Sequence, residues 1–102
     1  RRYAGLPPYG RLAALIASSP DADKLEGYVR ALAAEAPNAD GVQVYGPADP
    51  PLGLIRGRRR KRFLVRADRG VDVQAFLSAW LARVRTPSAV RLTVDVDPYS
   101  FL

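Results

Sequence analysis

The stretch Val90–Asp97 reads VRLTVDVD and decides the fold, because apolar and polar residues alternate along it without a break. A period of two predicts a β-strand with one face in the core and the other in water. Strands of this kind are typical of antiparallel sheets that are covered on one face. The rest of the chain is therefore expected to supply the partner strands and a covering layer.

Two amphipathic helices are predicted upstream, one over about residues 21–36 and one from Asp72 to about Arg85. Ser19-Pro20-Asp21 is a helix-start signal, and Thr86-Pro87 ends the second helix. The apolar residues of each helix recur at the spacing of a single helix face. They are Leu25, Tyr28, Val29, Leu32, Ala33 and Ala36 in the first helix, and Val73, Phe76, Leu77, Trp80, Leu81 and Val84 in the second.

Three further strands are predicted at residues 11–18, 42–45 and 61–67. The first is apolar on both alternating faces, which favours a strand covered on both sides. Residues 47–55 are rich in proline and are expected to form an ordered loop. The order strand, helix, strand, strand, helix, strand predicts an α+β fold of the split βαβ type, with a four-stranded antiparallel sheet and two helices on one face. Residues 10–102 are expected to form this single domain, after an extended lead-in over residues 1–9.

A dense basic run precedes the strand at residues 61–67. It consists of Arg56, Arg58, Arg59, Arg60, Lys61 and Arg62. Because the run leads directly into a strand that must bury side chains, its charge is expected to be fixed on a surface, and fixed positive surfaces attract polyanions. Arginine suits phosphate through its planar fork of donors. Phosphate contacts are expected to outweigh base stacking, for which Tyr3, Tyr9, Tyr45 and Tyr99 are the exposed candidates.

Several function classes are disfavoured by composition. The chain has no cysteine and no histidine, so disulfides, thiolate chemistry and the usual zinc ligands are excluded. Asp95 and Asp97 share a strand face and could bind Mg²⁺, although ion pairs are the simpler interpretation. The glycines match neither common nucleotide-binding motif. No apolar run has the length of a membrane span, which predicts a soluble cytoplasmic protein without membrane contact. The absence of methionine, even at position 1, indicates a piece of a longer protein.

Four short motifs occur in a distinctive order along the chain. They are Leu6-Pro7-Pro8-Tyr9, Gly46-Pro47 followed by Pro50-Pro51-Leu52, Arg56-Gly57-Arg58, and the ending Val94-Asp95-Val96-Asp97-Pro98. In order and spacing the chain resembles the C-terminal domain of the primosomal protein N′ family, the replication-restart DNA helicases called PriA. The resemblance covers nearly the whole chain. Arg59 departs from the resemblance, because the family often has an aromatic residue at this position among its arginines.

The resemblance implies a fold like that of ribosomal protein S10 and a non-catalytic module of an ATP-dependent 3′-5′ DNA helicase. The ATP and zinc sites of such an enzyme would lie upstream, so no cofactor is expected in this domain. The implied partners are forked, single-stranded and duplex DNA, the other domains of the helicase, and the acidic C-terminal tail of single-stranded-DNA-binding protein. Gln74 matches the glutamine that contacts this tail, and Arg69 is adjacent to Gly70, which replaces the basic residue of the family. A monomer is expected.

Two alternatives remain open from the residues themselves. The same architecture and basic surface also occur in RNA-associated or ribosome-associated modules of the S10 type. Alternatively, the cations of a purely structural domain would pair with acidic residues of the parent protein. Binding to nucleic acid by the isolated chain separates these alternatives.

Overall fold

The computed structural model describes residues 10–49, 54–55 and 57–96, which form one sheet and two helices. The elements are β1 (Gly10–Ser19), α1 (Ala22–Ala34), β2 (Val42–Ala48), β3 (Leu54–Ile55), β4 (Arg58–Asp68), α2 (Val73–Leu81) and β5 (Arg91–Val96). The strands lie in the order β2-β4-β1-β5, and the two-residue β3 also pairs with β4. Every pairing is antiparallel. The predicted four-stranded antiparallel α+β fold is confirmed, and β3 is an addition to it.

The core lies between the sheet and the two helices. Its centre is the pairing of β1 with β4, where Leu15 is opposite Phe63 and Ala13 is opposite Val65. The predicted apolar faces of both helices are buried against these strands. The buried helix residues are Leu25, Tyr28, Val29 and Leu32 of α1, and Val73, Phe76, Leu77 and Trp80 of α2. Because all of these side chains join one cluster, both helices cover the same face of the sheet.

Each helix begins one residue after the predicted start, because the predicted first residue is the N-cap. Asp21 caps α1 and Asp72 caps α2; the Asp21 carboxylate accepts two backbone N–H groups of the first turn, and that of Asp72 accepts the N–H of Ala75. The second helix ends at Leu81, well before the predicted Arg85. The hydrogen bonding changes there to the tighter 3₁₀ type, since the N–H of Arg83 donates to the Trp80 carbonyl three residues back.

The cap of α1 predicts a measurable change in stability. The Oδ1 of Asp21 accepts from the N–H groups of Asp23 and Lys24, both at 3.1 Å. Replacing Asp21 with alanine is expected to lower the free energy of unfolding by about 1 kcal/mol, because these two donors lose their protein partner. The urea midpoint measures the loss. Asp21→Asn, which keeps the acceptor, is expected to recover most of it, and an equal loss in both variants would contradict the capping role.

The strand boundaries differ from the sequence prediction where β2 and β4 meet. Strand β4 begins at Arg58 and not near residue 61, and β2 continues through Pro47 to Ala48 with a register shift after Tyr45. Gly46 lies at this shift with φ +117°, and a Cβ there would be 2.6 Å from the carbonyl oxygen of Arg62. The predicted 47–55 loop is therefore partly strand. Residues 50–53 of that loop lie outside the described part of the chain.

One burial prediction is met only in part and another is wrong. Strand β1 was expected to be covered on both faces; both described helices lie on one face, and on the other face Ala14 is buried whereas Leu12 and Ile16 are half-buried. Val94 was expected in the core, yet its side chain is 40% exposed. Strand β5 is last in the strand order, so in the described structure Val94 has a strand neighbour only on the β1 side. An alternating pattern does not distinguish such an edge position from a central one.

Candidate nucleic-acid interface

The basic run forms the first half of β4, and it is not a loop that precedes the strand. Successive side chains of a strand point to opposite faces, so the run is divided between the two faces of the sheet. Arg59 and Lys61 share the face of the buried Phe63, which is the face that carries the helices. Arg58, Arg60 and Arg62 belong to the opposite face. Arg56 lies outside the described residues.

We call the sheet surface opposite the helices the open face. Cross-strand register places side chains from four strands on it. The charged members are Arg58, Arg60, Arg62, Arg66, Asp68, Arg91 and Asp95, and the others include Leu12, Ile16, Ser18, Gln43, Tyr45 and Leu64. Arginines outnumber carboxylates on this face. It is therefore a positive surface formed on regular strands, with its cations at fixed spacing.

Arg58 is anchored at one end of the open face. Its Nε donates to the Ser18 hydroxyl at 3.4 Å, and its Nη2 donates to the Ser18 carbonyl at 3.1 Å. These contacts tie the start of β4 to the end of β1. Arg58 therefore has a structural role in addition to its charge, whereas Arg60 and Arg62 continue along the same strand face toward the middle of the sheet.

The helix-side cations have acidic neighbours. The Lys61 ammonium is 2.8 Å from the Asp49 carboxylate. Asp49 and Glu26 line a cleft beside the start of α1, together with Ala22, Leu25, Arg59 and Lys61. Arg60, which strand alternation assigns to the open face, also borders this cleft. Carboxylates in this cleft offset part of its positive charge. The helix side of the basic run therefore attracts polyanions less strongly than the open face does.

An aromatic side chain lies among the open-face cations. Tyr45 of β2 is 50% exposed, and its hydroxyl donates to the Gln43 Oε1 at 2.9 Å. The Nη1 of Arg66 donates to the same oxygen at 3.3 Å. Strand pairing thus brings an exposed ring and a guanidinium together around one amide. Tyr3, Tyr9 and Tyr99, the other aromatic candidates from the sequence, lie outside the described residues.

Arg69 and Gln74 lie on a different part of the surface. Both are exposed, Arg69 in the turn after β4 and Gln74 in the first turn of α2. Gly70 between them has φ +96°, which favours glycine at this position. Arg58 and Asp68 are ten residue steps apart along the extended strand, roughly 30 Å. The Arg58 end of the open face is therefore remote from Arg69, whereas Arg66 and Asp68 of the same face lie close to Arg69 in the chain.

The sequence prediction missed the contribution of other strands to the basic surface. Arg66 and Arg91 join it only through register, because Arg66 is opposite Leu12 and Arg91 is opposite Ser18 on the two sides of β1. The available signal was the alternation Arg62-Leu64-Arg66 beside the core residues Phe63 and Val65. It places Arg66 on the same face as Arg62.

The described residues offer little for metal chemistry. Among residues 10–49, 54–55 and 57–96, no three histidine, cysteine, aspartate or glutamate side chains form a group that could hold a metal ion. Asp95 lies on the open face opposite Ala14, and Asp97 is outside the described part. Neither described helix is long and apolar enough to cross a membrane.

Comparison with known proteins gives a consistent family assignment. A family model described as the primosomal protein N C-terminal domain matches residues 2–99. The chain is 35% identical over 101 residues to the replication restart protein PriA of Rickettsia felis, and 33% identical over 101 residues to that of Rickettsia prowazekii. Each match covers 99% of the chain but 15% of the relative, so the chain corresponds to a small part of these proteins.

A solved structure shares the fold without close sequence similarity. The de novo designed protein Foldit4 superposes with a TM-score of 0.61 at 10% identity, covering 85% of this chain and 94% of the designed protein. At this identity the likeness concerns the fold alone. The predicted similarity to ribosomal protein S10 stays a prediction.

Proposed function

Because the chain belongs to the family of primosomal protein N C-terminal domains, we propose that it is a non-catalytic DNA-binding and partner-docking domain that acts in replication restart. In this proposal it helps a PriA helicase hold branched or forked DNA during primosome assembly. ATP hydrolysis and zinc binding would belong to upstream domains of that protein. The domain would work as a monomer in the bacterial cytoplasm.

The observation that best supports the proposal is that β4 divides the basic run between the two faces of the sheet. Arg60 and Arg62 lie on the open face, and register adds Arg66 and Arg91 to it. Arginines on adjacent strands can contact several phosphates of one nucleic acid at once. Phosphate contacts position a protein on nucleic acid without reading the bases, so affinity for DNA in general is expected, with little sequence preference.

A salt series tests the proposal directly. Fluorescence anisotropy would follow binding of the 102-residue chain to labelled forked, duplex and single-stranded DNA at several salt concentrations. Affinity is expected to fall steeply with salt, because each phosphate contact contributes a slope of about 0.9 on duplex DNA. A slope of several units would support the proposal. Absence of binding to all three DNAs at low salt would contradict it.

The tail-docking part of the proposal concerns Arg69 and Gln74. Both side chains are exposed on the connection from β4 to α2, where an acidic peptide can reach them from solvent. A guanidinium and an amide suit a carboxylate through charge and hydrogen bonding. We propose this surface for the acidic C-terminal tail of single-stranded-DNA-binding protein. Its distance from Arg58 along β4 leaves the Arg58 end of the open face available for DNA.

The alternative function is an RNA-associated or ribosome-associated module of the S10 type, since a basic sheet face also suits the phosphates of RNA. Competition distinguishes the two functions. Unlabelled structured RNA added to a complex with labelled forked DNA would displace the DNA at much lower concentration if RNA were the preferred partner. We expect forked DNA to compete at least as well as structured RNA of equal length.

A further inference from the structure

Tyr45 presents an exposed aromatic ring on the open face, and phosphate binding by the arginines does not require such a ring. In the described structure it is one of two large apolar side chains that are strongly exposed, and it lies on the open face among the arginines. Its partner in register is Leu64, whose neighbours on the same strand face are Arg62 and Arg66. The ring is therefore diagonal to both arginines, at a distance that long side chains can span.

The ring is held in place by polar contacts at its edge. The Gln43 Oε1 accepts from the Tyr45 hydroxyl at 2.9 Å and from the Arg66 Nη1 at 3.3 Å. The hydroxyl therefore has its partner within the protein. A tethered ring loses less conformational freedom when a ligand binds to it than a freely rotating one does.

We propose that Tyr45 is a stacking platform for an unpaired base, and that Arg62 and Arg66 bind the phosphates on either side of that base. The inference rests on the proposed function. It specifies that the nucleic acid bound at Tyr45 on the open face is single-stranded. Bases within a duplex are stacked on their neighbours, so their faces are closed to the ring. An unpaired base has a free face, and aromatic side chains bind such faces with little sequence preference.

The test compares three probes of equal length: oligothymidine, an abasic single strand and a blunt duplex. The abasic strand keeps the phosphates but has no bases. Replacing Tyr45 with alanine is expected to weaken oligothymidine binding by about tenfold, since stacking on one aromatic residue contributes a factor of this order. Binding to the abasic strand and to the duplex should change by less than about twofold, because the arginines remain. Anisotropy at one low salt concentration measures all three.

The matched control is Tyr45→Phe. It removes the hydroxyl and its bond to Gln43 but retains the ring, so it is expected to keep oligothymidine affinity within about threefold of wild type. Equal weakening of all three probes by Tyr45→Ala would overturn the inference, and so would equal wild-type affinity for oligothymidine and the abasic strand. Both outcomes leave salt-dependent binding intact and thus spare the proposed function. If the wild-type chain bound none of the three probes, both the inference and the proposed function would be overturned.

Discussion

Replacing both Arg60 and Arg62 with glutamine is expected to weaken duplex DNA binding by about 100-fold at low salt. A hydrogen bond to a charged group typically contributes enough for about a tenfold change in affinity per arginine. The same variant should lower the salt slope by nearly two units, because each lost phosphate contact removes about 0.9. Anisotropy titrations of wild type and variant across one salt series would give both quantities.

The matched control uses two other members of the same run. Replacing Arg59 and Lys61 with glutamine removes the same formal charge from adjacent positions of the same strand. These side chains belong to the helix side of the sheet, where Lys61 is paired with Asp49. We expect the affinity to fall by less than about fivefold, through the long-range loss of positive charge.

The two variants together separate an oriented interface from general electrostatic attraction. Equal losses in both pairs would contradict the open face as the DNA-binding surface, because attraction by charge density alone does not depend on which face an arginine is on. A greater loss in the Arg59 and Lys61 variant would move the interface to the helix side. Urea unfolding of each variant would establish that an affinity change is not a loss of fold.

The fold was largely predictable from local patterns. The alternation in β4 that buries Phe63 and Val65 and the helical spacing of the buried residues in α1 and α2 each arise within one element. Such periodicities result from the geometry of the element itself, so they are visible in sequence. The order of the elements then leaves few ways to pack two helices on an antiparallel sheet.

The division of the basic run was not predictable in the same way. A series of consecutive cations has no apolar period, so the sequence does not show how far β4 extends into the run. Because the strand begins at Arg58, alternation counted back from Phe63 assigns each arginine to a face. The contact of Arg66 with Gln43 depends on the register between β2 and β4, and the short strand β3 lies between these two strands in the chain. Register between strands is a tertiary property and leaves no local signal. The exposure of Val94 results from the last place of β5 in the strand order, which is likewise a tertiary property.

Replacing Trp80 with alanine is expected to lower the free energy of unfolding by about 3 to 5 kcal/mol. Trp80 is fully buried, its ring contacts Phe63 edge-on at a centroid distance of 5.3 Å, and its Nε1 donates to the Leu32 carbonyl at 2.9 Å. The substitution leaves a large cavity between α2, α1 and β4. Since domains are typically stable by roughly 5 to 15 kcal/mol, we expect a measurable fraction of the variant molecules to be unfolded at 37 °C. Urea denaturation followed by far-ultraviolet circular dichroism measures the loss.

Trp80→Phe separates the two roles of the indole. Phenylalanine keeps an aromatic ring near Phe63 but removes the indole N–H, so the Leu32 carbonyl keeps only its 3.2 Å bond from the Glu35 N–H. Losing one of the two hydrogen bonds to this carbonyl costs about 0.5 to 1.5 kcal/mol, so this variant should be intermediate in stability. It should bind DNA as wild type does under conditions where it is folded, because Trp80 lies on the helix side of the sheet, away from the open face. Weakened DNA binding by a folded Trp80→Phe variant would show that the helix layer participates in the interface.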